Sequence, residues 1–287
     1  MIAYETVAIV GVGLIGGSIG LAIRERKLAQ TIVGVGRRQI TLDTARKVGA
    51  IDNGVTNLAN GVAHAQLIII ATPVDTVAER VIQVASVCPP TSLIVDVGST
   101  KEAIVAAVDS GLAGRRSGPR FVGSHPLAGD HRTGPEHARA DLFDGRTVVV
   151  TPTDLTRTAA VTEVTGFWQA LGAKVRQMSP AQHDAALALT SHLPHLAAVA
   201  LAAATPAEFL PLTATGWRDT TRVAGGDPRL WHAILTANRE HVLDALDMLG
   251  QTIENLRESL EQGDNESLLS ILEVAAIKKR DRDALGD

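Results

Sequence analysis

Val7-Ala8-Ile9-Val10-Gly11-Val12-Gly13-Leu14-Ile15-Gly16-Gly17-Ser18 sets how this chain is read. Residues 7–10 form a short β-branched and apolar run, the pattern of a buried strand. It runs into Gly11-x-Gly13-x-x-Gly16, and residues 15–23 have the apolar content of a packed helix. Strand, glycine turn and helix in that order predict a dinucleotide-binding unit. Gly11 allows the tight turn, Gly13 lets the backbone approach a pyrophosphate, and Gly16 lets the helix lie close to the strand. Free N–H groups at Leu14 and Ile15, with the helix dipole, then hold the phosphate charge. The alternative is an ordinary glycine-rich turn.

Residues 31–35 read as the next strand. An NAD-binding unit usually ends this strand with an acid that takes the ribose hydroxyls. Here it ends Gly34-Val35-Gly36-Arg37-Arg38, with no acid and two arginines. A carboxylate would repel a 2′-phosphate, whereas guanidinium groups bind one through paired hydrogen bonds. The pattern points to NADP over NAD; the alternative is a solvated basic turn.

Residues 67–71 and 93–96 are further buried strands, each followed by a helix, at 74–87 and up to about 112. Unbroken apolar strands alternating with helices predict a parallel sheet covered on both faces. Ligands bind such sheets at the carboxyl ends of the strands, where Thr72, Pro73, Ser99 and Thr100 fall. After a polar loop at 115–119, a short strand at 121–123 delivers Ser124-His125-Pro126 to the same edge. A strand at 147–151, a helix at 155–171 and a strand at 174–178 complete a first domain, 1–178.

From Ser179 the pattern is helical, giving a second domain, 179–287. Ser179, Pro180 and Gln182 form a capping box at the start of a helix that carries His183, His192 and His195 and is kinked at Pro194. Asp227-Pro228 starts a helix of about thirty residues that ends at Gly263. Leu235, Val242, Leu246, Leu249, Ile253, Leu256 and Leu260 make a heptad seam along it, and Asp264 caps a last helix. Such a seam is buried between two copies in a homodimer, or else within one chain.

Composition narrows the partners. Apolar residues are 45% and charged residues 20% of the 287, as in a soluble globular protein. A net charge of −4 without a basic stripe argues against nucleic acid. No apolar run reaches membrane-spanning length, no signal peptide is visible and Cys88 is the sole cysteine, so the expected setting is the cytoplasm, with no membrane partner.

His125 lies at the ligand edge, and His192 and His195 sit three apart on one helix, where His192 also reads as a capping or core histidine. With no HExxH or CxxC among the nine histidines and one cysteine, no metal is expected. Arg218-Asp219-x-x-Arg222, set among Gly216, Trp217, Gly225 and Gly226, would suit a carboxylate substrate or form a surface ion pair.

The blocks GVGLIGGS at 11–18, DVGSTK at 96–101, GSHPLAG at 123–129, HDAALALTSHLPH at 183–195 and WRDTTRVAGGDPRLW at 217–231 resemble the prephenate and arogenate dehydrogenases of tyrosine biosynthesis. The resemblance covers nearly the whole chain. It implies a Rossmann-type α/β domain followed by an all-α dimerisation domain of the 6-phosphogluconate-dehydrogenase C-terminal type. It implies oxidative decarboxylation of a cyclohexadienol, with His125 taking the hydroxyl proton and Ser99 bonding the same hydroxyl. Ser191, His192 and His195 match substrate-pocket positions, and Arg222 matches the arginine that binds substrate carboxylate. Some members of that family carry a fused mutase or a regulatory tail; neither is expected here, since seven residues follow Arg280.

Two readings compete. A related NADP-dependent dehydrogenase of a hydroxy acid or imine would use a helical-domain lysine, and none lies between Lys174 and Lys278. A non-catalytic nucleotide sensor would show damage in the base, serine or arginine blocks, and all three are intact. Arogenate differs from prephenate in carrying an ammonium, for which Asp130, or more weakly Asp144, is the candidate acceptor. Activity with arogenate is therefore expected to be at least equal to that with prephenate. The alternative for Asp130 is capping of the following turn.

Overall fold

The computed structural model describes residues 4–114, 118–130 and 132–284; Arg115–Ser117 of the predicted polar loop lie outside them. The first strand, β1 (Tyr4–Val10), alternates its side chains between two cores. Val7 and Ile9 face one core, with Leu67 and Ile69 of β4 (Leu67–Ile70) and Leu93 and Val95 of β5 (Leu93–Asp96). Ala8 and Val10 face the other, with Ile68, Ile70 and Ile94. On the first face lie α1 (Leu14–Glu25), through Ile19 and Ile23, and α6 (Thr158–Ala170), through Val164, Phe167 and Trp168. On the second lie α4 (Val77–Val87), through Val77, Val81 and Val84, and α5 (Glu102–Leu112), through Ile104 and Val108. Each fully buried aliphatic side chain contributes about 1.5–3 kcal/mol.

The remaining strands are β2 (Ala29–Val35), β3 (Asn53–Val55), β6 (Arg120–Pro126), β7 (Thr147–Thr151) and β8 (Lys174–Gln177). The sheet order is β3-β2-β1-β4-β5-β6-β7-β8. Every pairing is parallel except β6 with β7, which is antiparallel, contrary to the all-parallel expectation. Among its described residues the connection between those two strands holds a single 3-10 turn, Pro135–His137, and no crossover helix; without one a strand returns antiparallel. β6 is also longer than predicted and takes in Ser124, His125 and Pro126, because β7 supplies ladder partners for them. β3 and the helices α2 (Gln39–Lys47) and α3 (Leu58–Val62) were not anticipated. α6 starts later than the predicted 155, because Thr153 and Thr156 close a hydroxyl-bonded turn around Leu155.

The predicted capping box forms at Ser179 and Gln182, opening α7 (Pro180–Leu187). Pro194 does not act as a simple kink. A π-helical segment, Ala188–His192, precedes α8 (Leu193–Ala204), and the Leu193 N–H reaches back five residues to the Ala188 carbonyl. The run Pro180–Ala204 is 25 residues long and holds an 18-residue window of mean hydropathy 1.5, enough by length and composition to cross a membrane. That corrects the expectation that no run reaches this length: polar side chains interrupt the apolar string, but the alanine-rich end lifts the average. His183, Asp184, His192 and His195 on it are buried, and Asp184 accepts the Lys101 and Glu102 N–H groups at the start of α5.

α9 (Thr215–Thr221) and α10 (Pro228–Ala237) follow, the latter capped by Asp227 as predicted. The expected thirty-residue helix is broken at Asn238 (φ −113°, ψ 33°), and α11 (Arg239–Gln262) begins anew. The Asn238 amide is drawn to the Asp184 carbonyl at 2.8 Å and to His192 Nδ1 at 3.1 Å. Gly263 (φ +67°) ends α11 and Asp264 caps α12 (Asn265–Ala284). The chain divides into two compact units after Arg239, so α7–α10 belong with the sheet. In the second unit Leu246, Ile253 and Leu260 of the seam are exposed, as are Leu269 and Leu272 of α12.

Candidate active site

At the end of β1, Gly11 has φ +97°, and a Cβ there would stand 2.4 Å from the Ala71 carbonyl oxygen. A Cβ on Gly16 would stand 2.1 Å from the Gly11 oxygen. Both positions therefore require glycine. A Cβ on Gly13 would meet nothing within 4 Å, so its surface is open on the side a ligand would approach. Gly13 caps α1 without a side-chain bond and no acid occupies the first turn, so the N–H groups of Leu14, Ile15 and Gly16 face outward without helical acceptors. This fits the pyrophosphate of a dinucleotide.

A cavity of about 570 Å³ opens here, lined by Gly11, Gly13, Arg37, Arg38, Thr72 and Pro73, all expected from the sequence. Thr41, Asp75, Thr76 and Arg80 line it too and were not expected. Arg80 lies on α4, where sequence shows only an amphipathic helix with a polar face; its Nη1 donates to Gln83 Oε1 at 2.8 Å. Thr76 Oγ1 donates to Thr72 Oγ1 at 3.1 Å, tying the turn after β4 together.

His125 is carried on β6, partly buried, and its Nδ1 lies 2.9 Å from Nε2 of His183 on α7. His183 Nδ1 lies 2.6 Å from Asp184 Oδ1. Burial pushes the His125 pKa well below 6.5, helped by His183, Lys101 and His192. Burial also pulls His192 down to about 4, with Asp184 opposing and His183 and His195 assisting. Both rings are thus held neutral near pH 7. Burial acts to raise the Asp184 pKa, but the hydrogen bonds from His183, Glu102 and Lys101 outweigh it and hold the carboxyl below its ordinary value.

The Asn238 amide nitrogen can only donate, so His192 Nδ1 accepts and its hydrogen sits on Nε2. His195 stacks on Trp231 with centroids 3.6 Å apart and planes 8° from parallel. Its Nδ1 is buried without a partner among the described residues, and a hydrogen bond to the Val223 backbone partly offsets the lowering of its pKa by burial. Arg222, next to Val223, opens the turn Arg222–Gly225 and is exposed, as is Arg218. Ser191 lies in the π segment, partly buried.

Two expected residues stand apart. Ser99 sits half-buried in the turn after β5 and makes no hydrogen bond to His125; the ring instead meets His183. Asp130 lies in the loop after β6, and both its oxygens are taken by Arg132, at 3.0 Å and 2.7 Å. It also accepts the Arg132 N–H at 3.0 Å, which is the turn-capping alternative. Asp144 pairs with Arg26 at 2.5 Å.

A glycine turn at a parallel sheet edge with a neutral histidine on the same edge defines a dinucleotide-dependent dehydrogenase. Family models agree: the nucleotide-binding domain of prephenate dehydrogenase matches residues 19–177 and its dimerization domain matches residues 179–274. Prephenate dehydrogenase of Bacillus subtilis is 35% identical over 94% of this chain and 74% of its own length. Cyclohexadienyl dehydrogenase of Zymomonas mobilis is 31% identical over 94% of this chain and 93% of its own. The crystal structure of A. aeolicus prephenate dehydrogenase in complex with hydroxyphenyl propionate and NAD+ superposes with a TM-score of 0.89 at 29% identity, covering 97% of this chain and 98% of that one. The chain belongs to the prephenate/arogenate dehydrogenase family of oxidoreductases.

Proposed function

We propose that this protein catalyses the NADP-dependent oxidative decarboxylation of a cyclohexadienol, prephenate or arogenate. The observation that carries the reading is His125, a neutral imidazole on the same carboxyl edge of the sheet as the glycine turn. NADP, when bound, supplies the hydride acceptor. Gly11, Gly13, Leu14, Ile15 and Gly16 hold its pyrophosphate, with Thr72 and Pro73 along its path and Arg37 and Arg38 on the 2′-phosphate.

His125 takes the proton from the ring hydroxyl as hydride leaves the same carbon, and Ser99 bonds that hydroxyl. The ring carboxylate departs as carbon dioxide and the ring becomes aromatic. The protein's part is to orient the reacting groups, since aromatisation supplies the driving force. Arg222 binds a carboxylate, the His192 Nε2–H donates to substrate, and the unpartnered His195 Nδ1 and Ser191 complete the pocket. Asp130 meets the substrate side chain with its charge already neutralised by Arg132. We therefore propose that both substrates are accepted. The domains are 1–178 for nucleotide and 179–287 for substrate and dimerisation, the exposed seam being the homodimer contact.

The test is the absorbance of reduced cofactor with each substrate and each of NADP and NAD. Turnover with neither substrate would end the reading. His125→Asn should lose about a hundredfold or more in kcat while still binding NADP.

A further inference from the structure

His183 and Asp184 are fully buried, titratable and given no part in the reaction described above. We propose that they are positioning residues, a relay that fixes the tautomer of His125 and shares its charge when it takes the substrate proton. This rests on the reading of His125 as the base.

The donors and acceptors support one arrangement. Asp184 Oδ1 accepts the Lys101 N–H at 2.7 Å and Oδ2 accepts the Glu102 N–H at 2.8 Å. With His183 Nδ1 as a third neighbour at 2.6 Å, the carboxyl stays ionised. An ionised carboxylate only accepts, so His183 Nδ1 carries hydrogen, and the relay uses Nε2 of that ring as its acceptor. That Nε2 faces His125 Nδ1 at 2.9 Å, so in the relay His125 Nδ1 carries hydrogen. The lone pair of His125 is left on Nε2, the one ring nitrogen not engaged by His183. Edge-to-face packing of the two rings, at 68°, keeps them in this relation.

The proton balance follows. The substrate O–H bond breaks and its proton bonds to His125 Nε2. The proton on His125 Nδ1 shifts toward His183 Nε2, so the positive charge is shared with a ring that already donates to the Asp184 carboxylate. Once product leaves, the Nδ1 proton returns and Nε2 releases its proton to water. The relay also joins α7 to the start of α5, because Asp184 holds both the ring and the α5 N–H groups.

The first test needs no substrate. In protein labelled with 15N-histidine, NMR at neutral pH should show His125 with hydrogen on Nδ1 and a bare Nε2. Hydrogen on Nε2 would overturn the relay. The second test compares His183→Leu, which leaves Asp184 free to cap α5, with His183→Gln, whose amide oxygen can still accept from His125. His183→Leu should cut kcat by about tenfold or more, with KM and the NADP dissociation constant unmoved. His183→Gln should retain the His125 tautomer and recover part of kcat. Wild-type kcat in His183→Leu would overturn the relay, whereas wild-type enzyme that turns over neither substrate would overturn the reading of the reaction instead.

Discussion

Lys101 Nζ meets Asp96 Oδ2 in an ion pair whose two side chains are both fully shielded from solvent. Asp96 also accepts the Gly98 and Ser124 N–H groups, at 2.8 Å and 3.2 Å, so one carboxylate ties the end of β5, the turn after it and β6. Burial lowers the Lys101 pKa, and Asp96 and Asp184 act against that. Removing the ammonium alone leaves a buried carboxylate uncompensated, which typically costs about 3–5 kcal/mol. Lys101→Met should lower the urea midpoint accordingly, and adding Asp96→Asn should restore part of the loss. An unchanged midpoint for Lys101→Met would show that the pair contributes nothing.

The acid side of the pH profile is set by His125. It must be neutral to take a proton, and burial keeps its pKa well below 6.5. kcat/KM should therefore hold its plateau through pH 6.5 and fall only at lower pH. Stability should follow the same direction. His125 and His192 have folded pKa values below their unfolded 6.5, so the unfolded chain binds more protons as pH drops. Their contribution is full above pH 6.5 and is lost as pH falls toward about 4, the folded value of His192. Melting curves across that range check it, and His192→Gln should flatten the slope.

Cofactor choice should turn on the end of β2. A Cβ on Gly36 would lie 3.2 Å from Leu42 Cδ2, the mobile end of a side chain, so an acid can be fitted there. Gly36→Asp with Arg37→Gln should shift the ratio of kcat/KM values from NADP toward NAD by about tenfold or more, the worth of one charge-assisted hydrogen bond. If the unaltered protein uses NAD as well as NADP, the arginines have no such role.

Arg222→Ala should raise KM for substrate sharply with little change in cofactor binding, because the substrate carboxylate loses its charged partner. Arg218→Ala should not. The reverse result would move the anchor one helical turn back along α9.

The parts of this fold written locally were legible in the sequence. Gly11-x-Gly13-x-x-Gly16, the Ser179 box and the Asp227 cap act within a few residues, and each forms as expected. His125 was legible because it stands at the carboxyl end of a strand. Its contact with His183 was not, since 58 positions separate them and no spacing rule connects strand to helix. Arg80 was hidden in the polar face of α4, and the break at Asn238 follows from bonds to Asp184 and His192 far back in the chain. The antiparallel β7 turned on the absence of a helix in a long connection, for which the strand pattern itself gives no sign.

The π turn at Ala188–His192 works as a phase shift. In a regular helix each residue turns about 100°, so positions 183 and 195 would point about 120° apart and 183 and 192 about 180° apart. One inserted residue takes back about 100°, which brings the first pair to about 20° and the second to about 80°. All three histidines are in fact buried. A chain shortened by one between Leu187 and Leu193 would keep these angles as a smooth helix, whereas the same residues wound without the π turn would carry His192 and His195 away from His183.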